Sequence, residues 1–101
     1  MASVRFSWAD DPATDTPVAQ YSVRRSFNGG AYSNLALVDV ADTSESGGVR
    51  SVTLNDVPNG LANFRVYPID GDGEEGAHIQ VSHDAQVLLP SISGPLVAIN
   101  V

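Results

Sequence analysis

Two histidines, His78 and His83, and twelve acidic side chains are the groups in this 101-residue chain best suited to acid–base or metal chemistry. A nucleophilic triad needs Ser, Thr or Cys beside a His that a carboxylate orients. No Gly-x-Ser-x-Gly elbow surrounds any serine. His78 and His83 are an odd offset apart, so on one straight strand they face opposite sides and do not share a metal. They read as surface histidines. A phosphate cradle needs a Gly-rich turn leading to Lys, Ser or a helix N-terminus, and the chain has no lysine. It has no cysteine either, which removes disulfides and thiol chemistry and leaves the redox compartment open.

The carboxylates offer one further possibility. Residues 70–76 read Asp-Gly-Asp-Gly-Glu-Glu-Gly. Hard cations such as calcium take six to eight oxygens, and Asp70, Asp72 and Glu74, with Asp10 and Asp11, are the candidate donors. The twelve-position EF-hand pattern is absent, and a solvated acidic hairpin tip is the plainer reading. No cofactor other than calcium comes into question. Glycoside hydrolysis needs two carboxylates at fixed separation in a concave cleft, which a small β domain hardly provides. The expectation is a protein that is not an enzyme.

Five arginines against twelve acids give a net charge of -7. Such a surface repels nucleic-acid backbones and anionic membranes, so neither is an expected partner. No apolar run approaches the roughly 20 residues that span a bilayer, and no apolar leader is present, so the chain as given is not expected to be addressed for secretion. The length suits one domain, residues 1–101.

The elements that must position these residues are strands. Val4, Phe6 and Trp8 alternate with Arg5 and Ser7, the pattern of a half-buried strand. Residues 10–17 form a loop. Residues 19–27 resume a strand with Tyr21, Val23 and Phe27 inward; of Arg24 and Arg25, one faces out and the other must snorkel or pair. Asn28-Gly29-Gly30 is a hairpin turn, because Asn and Gly tolerate positive φ. Residues 31–40 return as a strand of irregular alternation. Residues 42–48 read as a polar loop, 49–54 as a strand with Val52 and Leu54 on one face, and 55–60 as a turn. In the strand 62–70, Phe64 and Val66 share a face, and Pro68 marks an edge or bulge. Residues 77–82 are short and strand-like, and 96–101 read as one more strand. No window supports a helix. Short strands with turns every 8–12 residues point to an all-β sandwich.

Several of these segments resemble the fibronectin type III family, immunoglobulin-like in build. Val4-Arg-Phe-Ser-Trp8 looks like that family's second strand, with its core Trp. Ala19-Gln-Tyr-Ser-Val-Arg-Arg25 looks like its third. Val57-Pro-Asn-Gly60 resembles its Leu-x-Pro-Gly turn, displaced by one residue, and Phe64-Arg-Val-Tyr-Pro-Ile-Asp70 its Tyr-Arg-Val-x-Ala-Val-Asn strand. The resemblance covers residues 3–82. It implies that loops 10–17 and 70–76 share one end, which would gather the candidate calcium donors. Two features depart from the pattern. The corner tyrosine falls at Ala62, and no strand precedes the Trp strand. The leftover residues 85–101 form a C-terminal extension or strand, and Leu96-Val-Ala-Ile-Asn-Val101 has the character of the missing first strand. It would pair with the Val4–Trp8 edge of its own chain, a circular permutation, or with that edge on a neighbour. The alternative is that it simply extends the sheet or is a partly ordered terminus. Val4, Phe6, Leu96, Val97 and Ile99 are therefore the candidate contact residues.

The resemblance implies a non-enzymatic structural or protein-binding role. A small cysteine-free sandwich without a leader looks similar to tailed-phage virion accessory proteins, which decorate capsids or build tails and leave by lysis. The expected partners are capsid or tail proteins, or other copies of the chain, and the expected location is the virion. The alternative is an adhesion or carbohydrate-binding module from a bacterial surface or carbohydrate-active protein, located outside the cell or at its surface.

Overall fold

The computed structural model describes residues 1–9, 17–87 and 95–100. Its strands are β1 (Ala2–Ala9), β2 (Val18–Phe27), β3 (Ser33–Asp39), β4 (Ser44–Ser46), β5 (Val49–Val57), β6 (Gly60–Asp70) and β7 (Ile79–Ala85). The described helical structure is one 3-10 turn at Val40–Asp42. The strands form two antiparallel sheets, ordered β1-β5-β4 and β3-β2-β6-β7. Their inner faces meet in a β-sandwich-like arrangement. Phe6 of β1 packs on Phe64 of β6 with ring centroids 5.1 Å apart, and Trp8 of β1 on Tyr21 of β2 at 4.9 Å.

The core follows the period-two pattern. Ala2, Val4 and Phe6 of β1, Tyr21 and Val23 of β2, and Ala62, Phe64 and Val66 of β6 are buried at alternate positions. Trp8 is half-buried and packs against this cluster. Asn28 and Gly29 both have positive φ, and the Gly30 N–H donates to the Phe27 carbonyl at 3.2 Å, closing the β2–β3 hairpin. The irregular alternation of β3 comes from a bulge. Val23 pairs with Ala36 and Arg24 with Asn34, so Leu35 is the extra residue and turns toward the core.

Four expectations need correction. The polar segment 42–48 contains a strand: β4 pairs with β5 through a turn in which Gly47 and Gly48 both have positive φ. Its three residues are all exposed, so no apolar periodicity announces them. The strand from 49 continues past Leu54 to Val57, which is fully buried and pairs with Ala2. Phe27 does not turn inward. It is half-exposed, with the Arg25 guanidinium 5.0 Å from its ring centroid. The segment 95–100 forms no strand, and Leu96, Val97 and Ile99 are exposed.

Pro68 is accommodated because the β6–β7 ladder ends at the Val66–Ile79 pair. A residue's N–H and C=O point to the same side of a strand. The Pro68 carbonyl accepts from Gly76 N–H at 2.8 Å, so the missing N–H faces the side that β7 no longer covers.

Candidate functional site

Three strands lie against four. Phe6 on Phe64 sets β1 over β6, and with β5 and β4 continuing the first sheet to one side, no strand of the described residues covers β7. Every β7 residue from Ile79 to Asp84 is exposed, although Ile79 and Val81 are apolar. Among the described residues the result is an open groove of about 550 Å³ between the outer edges of β1 and β7. Val4, Phe6 and Trp8 form one wall, Ile79 and Val81 the other, and Phe64 the floor. A second cavity of about 550 Å³ continues past Trp8 toward Ala77 and Pro68. The two strands run antiparallel: the Trp8 end of β1 lies at the start of β7, and the chain leaves β7 at the opposite end.

The groove therefore contains two of the contact residues expected from sequence, Val4 and Phe6. Leu96, Val97 and Ile99 stay out of it and are 97%, 72% and 78% exposed. Ile79 and Val81 belong to the site and were not singled out from sequence. Their signal was a pair of apolar residues two apart in an otherwise polar segment.

The β1 edge itself carries few protections. Ser3, Arg5 and Ser7 point away from the core, and a register shift between Ala2 and Val4 breaks only the start of the strand. Proteins commonly blunt such edges with Lys, Pro or covering loops. β1 contains neither Lys nor Pro, and its one charged side chain is Arg5.

The acidic turn is organised by its own backbone. Asp70 Oδ1 accepts from the N–H groups of Asp72 and Glu74, both at 2.9 Å, and the Asp70 carbonyl accepts from Gly73 N–H at 3.1 Å. Gly73 has φ 85°, a conformation an L side chain rarely takes. Asp72 and Glu74 are exposed. Among the described residues no group of three or more His, Asp or Glu side chains is placed to hold a metal. Asp10 and Asp11 lie outside the described residues.

The outer face of the four-stranded sheet carries a cluster that sequence indicated only in part. Arg24 and Arg65 sit directly opposite each other on β2 and β6. Like charges in such a pair repel, and each is drawn aside. The Arg24 guanidinium lies 4.0 Å from the Tyr67 ring centroid and is ion-paired with Glu75. Arg65 lies 4.0 Å from the Tyr32 centroid and donates to Gln80 Oε1 at 2.9 Å. His78 lies just before β7 against Tyr67, with ring centroids 4.9 Å apart, while His83 of β7 lines the groove, so the two do not share one straight strand.

A comparison of the chain with protein-family models, with curated proteins and with solved structures returns no match.

Proposed function

We propose that this chain is a non-enzymatic structural or protein-binding module, fibronectin type III-like in build, that works by pairing its open β1 edge with a further strand. The observation that carries this reading is the apolar groove between β1 and β7. In an immunoglobulin-like sandwich the strand next to β1 would be the first of the fold, and the order β1-β5-β4 opposite β3-β2-β6-β7 is what remains when that strand is removed. An edge left unpaired over an apolar floor favours strand addition, in which backbone hydrogen bonds provide affinity and alternate side chains provide fit.

The setting we favour is the virion, with the chain as a capsid-decoration or tail accessory protein. A net charge of -7 supports contacts with protein rather than with nucleic acid. The alternative of a carbohydrate-binding module draws less support. A sugar platform needs a bare aromatic face, and Tyr32 and Tyr67 each lie under a guanidinium. The test is whether a tagged copy co-sediments with particles on a density gradient, together with the genes that flank its own. Head or tail genes and particle association are expected. A longer reading frame with a secretion leader and tandem domains would overturn the virion reading.

A further inference from the structure

We infer that the β1–β7 groove receives the C-terminal segment of a second copy of this chain, so that copies associate by exchanging a strand. This rests on the reading of β1 as an open, strand-accepting edge and names its occupant.

The same molecule carries both halves of the contact. The groove presents Val4 and Phe6, two residues apart, opposite Ile79 and Val81, also two apart. Residues 95–100 read Pro-Leu-Val-Ala-Ile-Asn and form no secondary structure. As a strand they would put Val97 and Ile99 on one face at that same spacing, with Ala98 on the other. Both Val97 and Ile99 are mostly exposed where they stand. An apolar segment in water and an apolar groove open to water are two hydrophobic surfaces that one contact would bury together.

Strand polarity favours a second copy over the segment's own chain. Every strand pair of the first sheet is antiparallel, so an occupant continuing that pattern beside β1 enters at the Trp8 end. The chain leaves β7 at Ala85, the other end. To pair its six residues 95–100 beside β1 on its own molecule it must first run back about 20 Å along β1. Residues 86–94 reach only about 30 Å when fully extended, which leaves about 10 Å for the crossing from one sheet to the other and for two reversals of direction. A neighbour's segment has no such restraint. The exchange is head to tail, because the donated segment and the accepting groove are different surfaces. It closes into a ring or continues as an open chain.

The test is sedimentation velocity on the full chain and two variants, with circular dichroism to confirm that each is folded. Val97→Asp with Ile99→Asp removes the donor segment's apolar face. Val81→Asp, at a half-exposed position, spoils the groove. The wild type is expected to rise with concentration from one chain mass to two and beyond, and each variant to remain a monomer. Mixing the two variants leaves one intact groove and one intact segment, and a one-to-one complex is expected. Should the groove variant fail to fold, the wild type against the donor variant decides alone. A wild type that stays monomeric at all concentrations overturns the proposal. If ending that monomer at residue 86 also lowers its melting temperature, the occupant is its own segment. A monomer that still co-sediments with particles overturns strand exchange and leaves the module reading standing.

Discussion

Phe6 of β1 and Phe64 of β6 pack with ring centroids 5.1 Å apart and planes tilted by 56°, joining the two sheets beneath the open groove. The two rings are not equivalent. Phe64 is 1% exposed and forms the groove floor, whereas Phe6 forms part of the wall. Truncating a fully enclosed Phe leaves a cavity, and Phe64→Ala is expected to cost about 3–5 kcal/mol. Phe6 is also buried, at 6% exposed, but lies on the groove side, so Phe6→Ala is expected to fall at the lower end of that range, about 3 kcal/mol. Urea unfolding of both variants measures the difference. Equal losses would mean that the Phe6 side of the core is closed.

The Asp70 carboxylate holds the turn between β6 and β7 through two backbone N–H groups. Asp70→Ala leaves both donors to water and is expected to lower stability by about 1 kcal/mol, the usual size of such a local cap. Asp70→Asn keeps an acceptor oxygen and should lose less. Thermal unfolding with and without calcium checks the competing role. A turn organised by its own amides predicts no calcium-dependent rise in melting temperature.

Two glycines near this turn separate crowding from chain entropy. A Cβ at Gly76 would meet Pro68 Cγ at 3.0 Å, whereas one at Gly71 meets nothing within 4 Å. Gly71→Ala is expected to stabilise by about 0.4–1 kcal/mol through the unfolded chain. Gly76→Ala gains the same entropy but pushes against the proline ring, and should be neutral or destabilising. Paired denaturant melts would expose a wrong sign.

Arg24 donates from Nε to Ser22 Oγ at 3.2 Å and makes two further contacts of different kinds, a stack on Tyr67 and an ion pair with Glu75, whose side chain is 40% exposed. Exposed ion pairs contribute about 0.2–1 kcal/mol and fade with salt. The stack also contributes roughly 0.5–1 kcal/mol, and apolar contact with the ring makes it less salt-sensitive. Double-mutant cycles of Arg24→Ala with Tyr67→Ala and with Glu75→Gln are expected to show two couplings, of which only the second falls at high salt. If both fall together, the stack depends on the carboxylate.

What could be read along the chain was local. Alternation at Val4, Phe6 and Trp8, and again at Phe64 and Val66, identified the inward faces, because a strand's side chains alternate whatever the strand pairs with. Asn28-Gly29 declared its turn, because few residues accept positive φ. Pro68, expected at an edge or bulge, lies instead on the inner strand β6, just past the end of the β6–β7 ladder. The segment Ser44–Ser46 was not legible, because an exposed edge strand buries nothing and leaves no apolar period. Val57 was hidden for a different reason. The turn residues after it resembled an earlier strand end, and only its pairing with Ala2, far off in sequence, shows how far β5 runs.

The site divides along the same line. Legible along the chain were the apolar side chains of β1 and the apolar run Leu96–Ile99. The tertiary structure decided that three strands face four, that Ile79 and Val81 thereby form the second wall, and that Leu96, Val97 and Ile99 stand exposed outside the groove. Those facts depend on which strands pair, and pairing is set by contacts between positions tens of residues apart, for which local periodicity carries no signal.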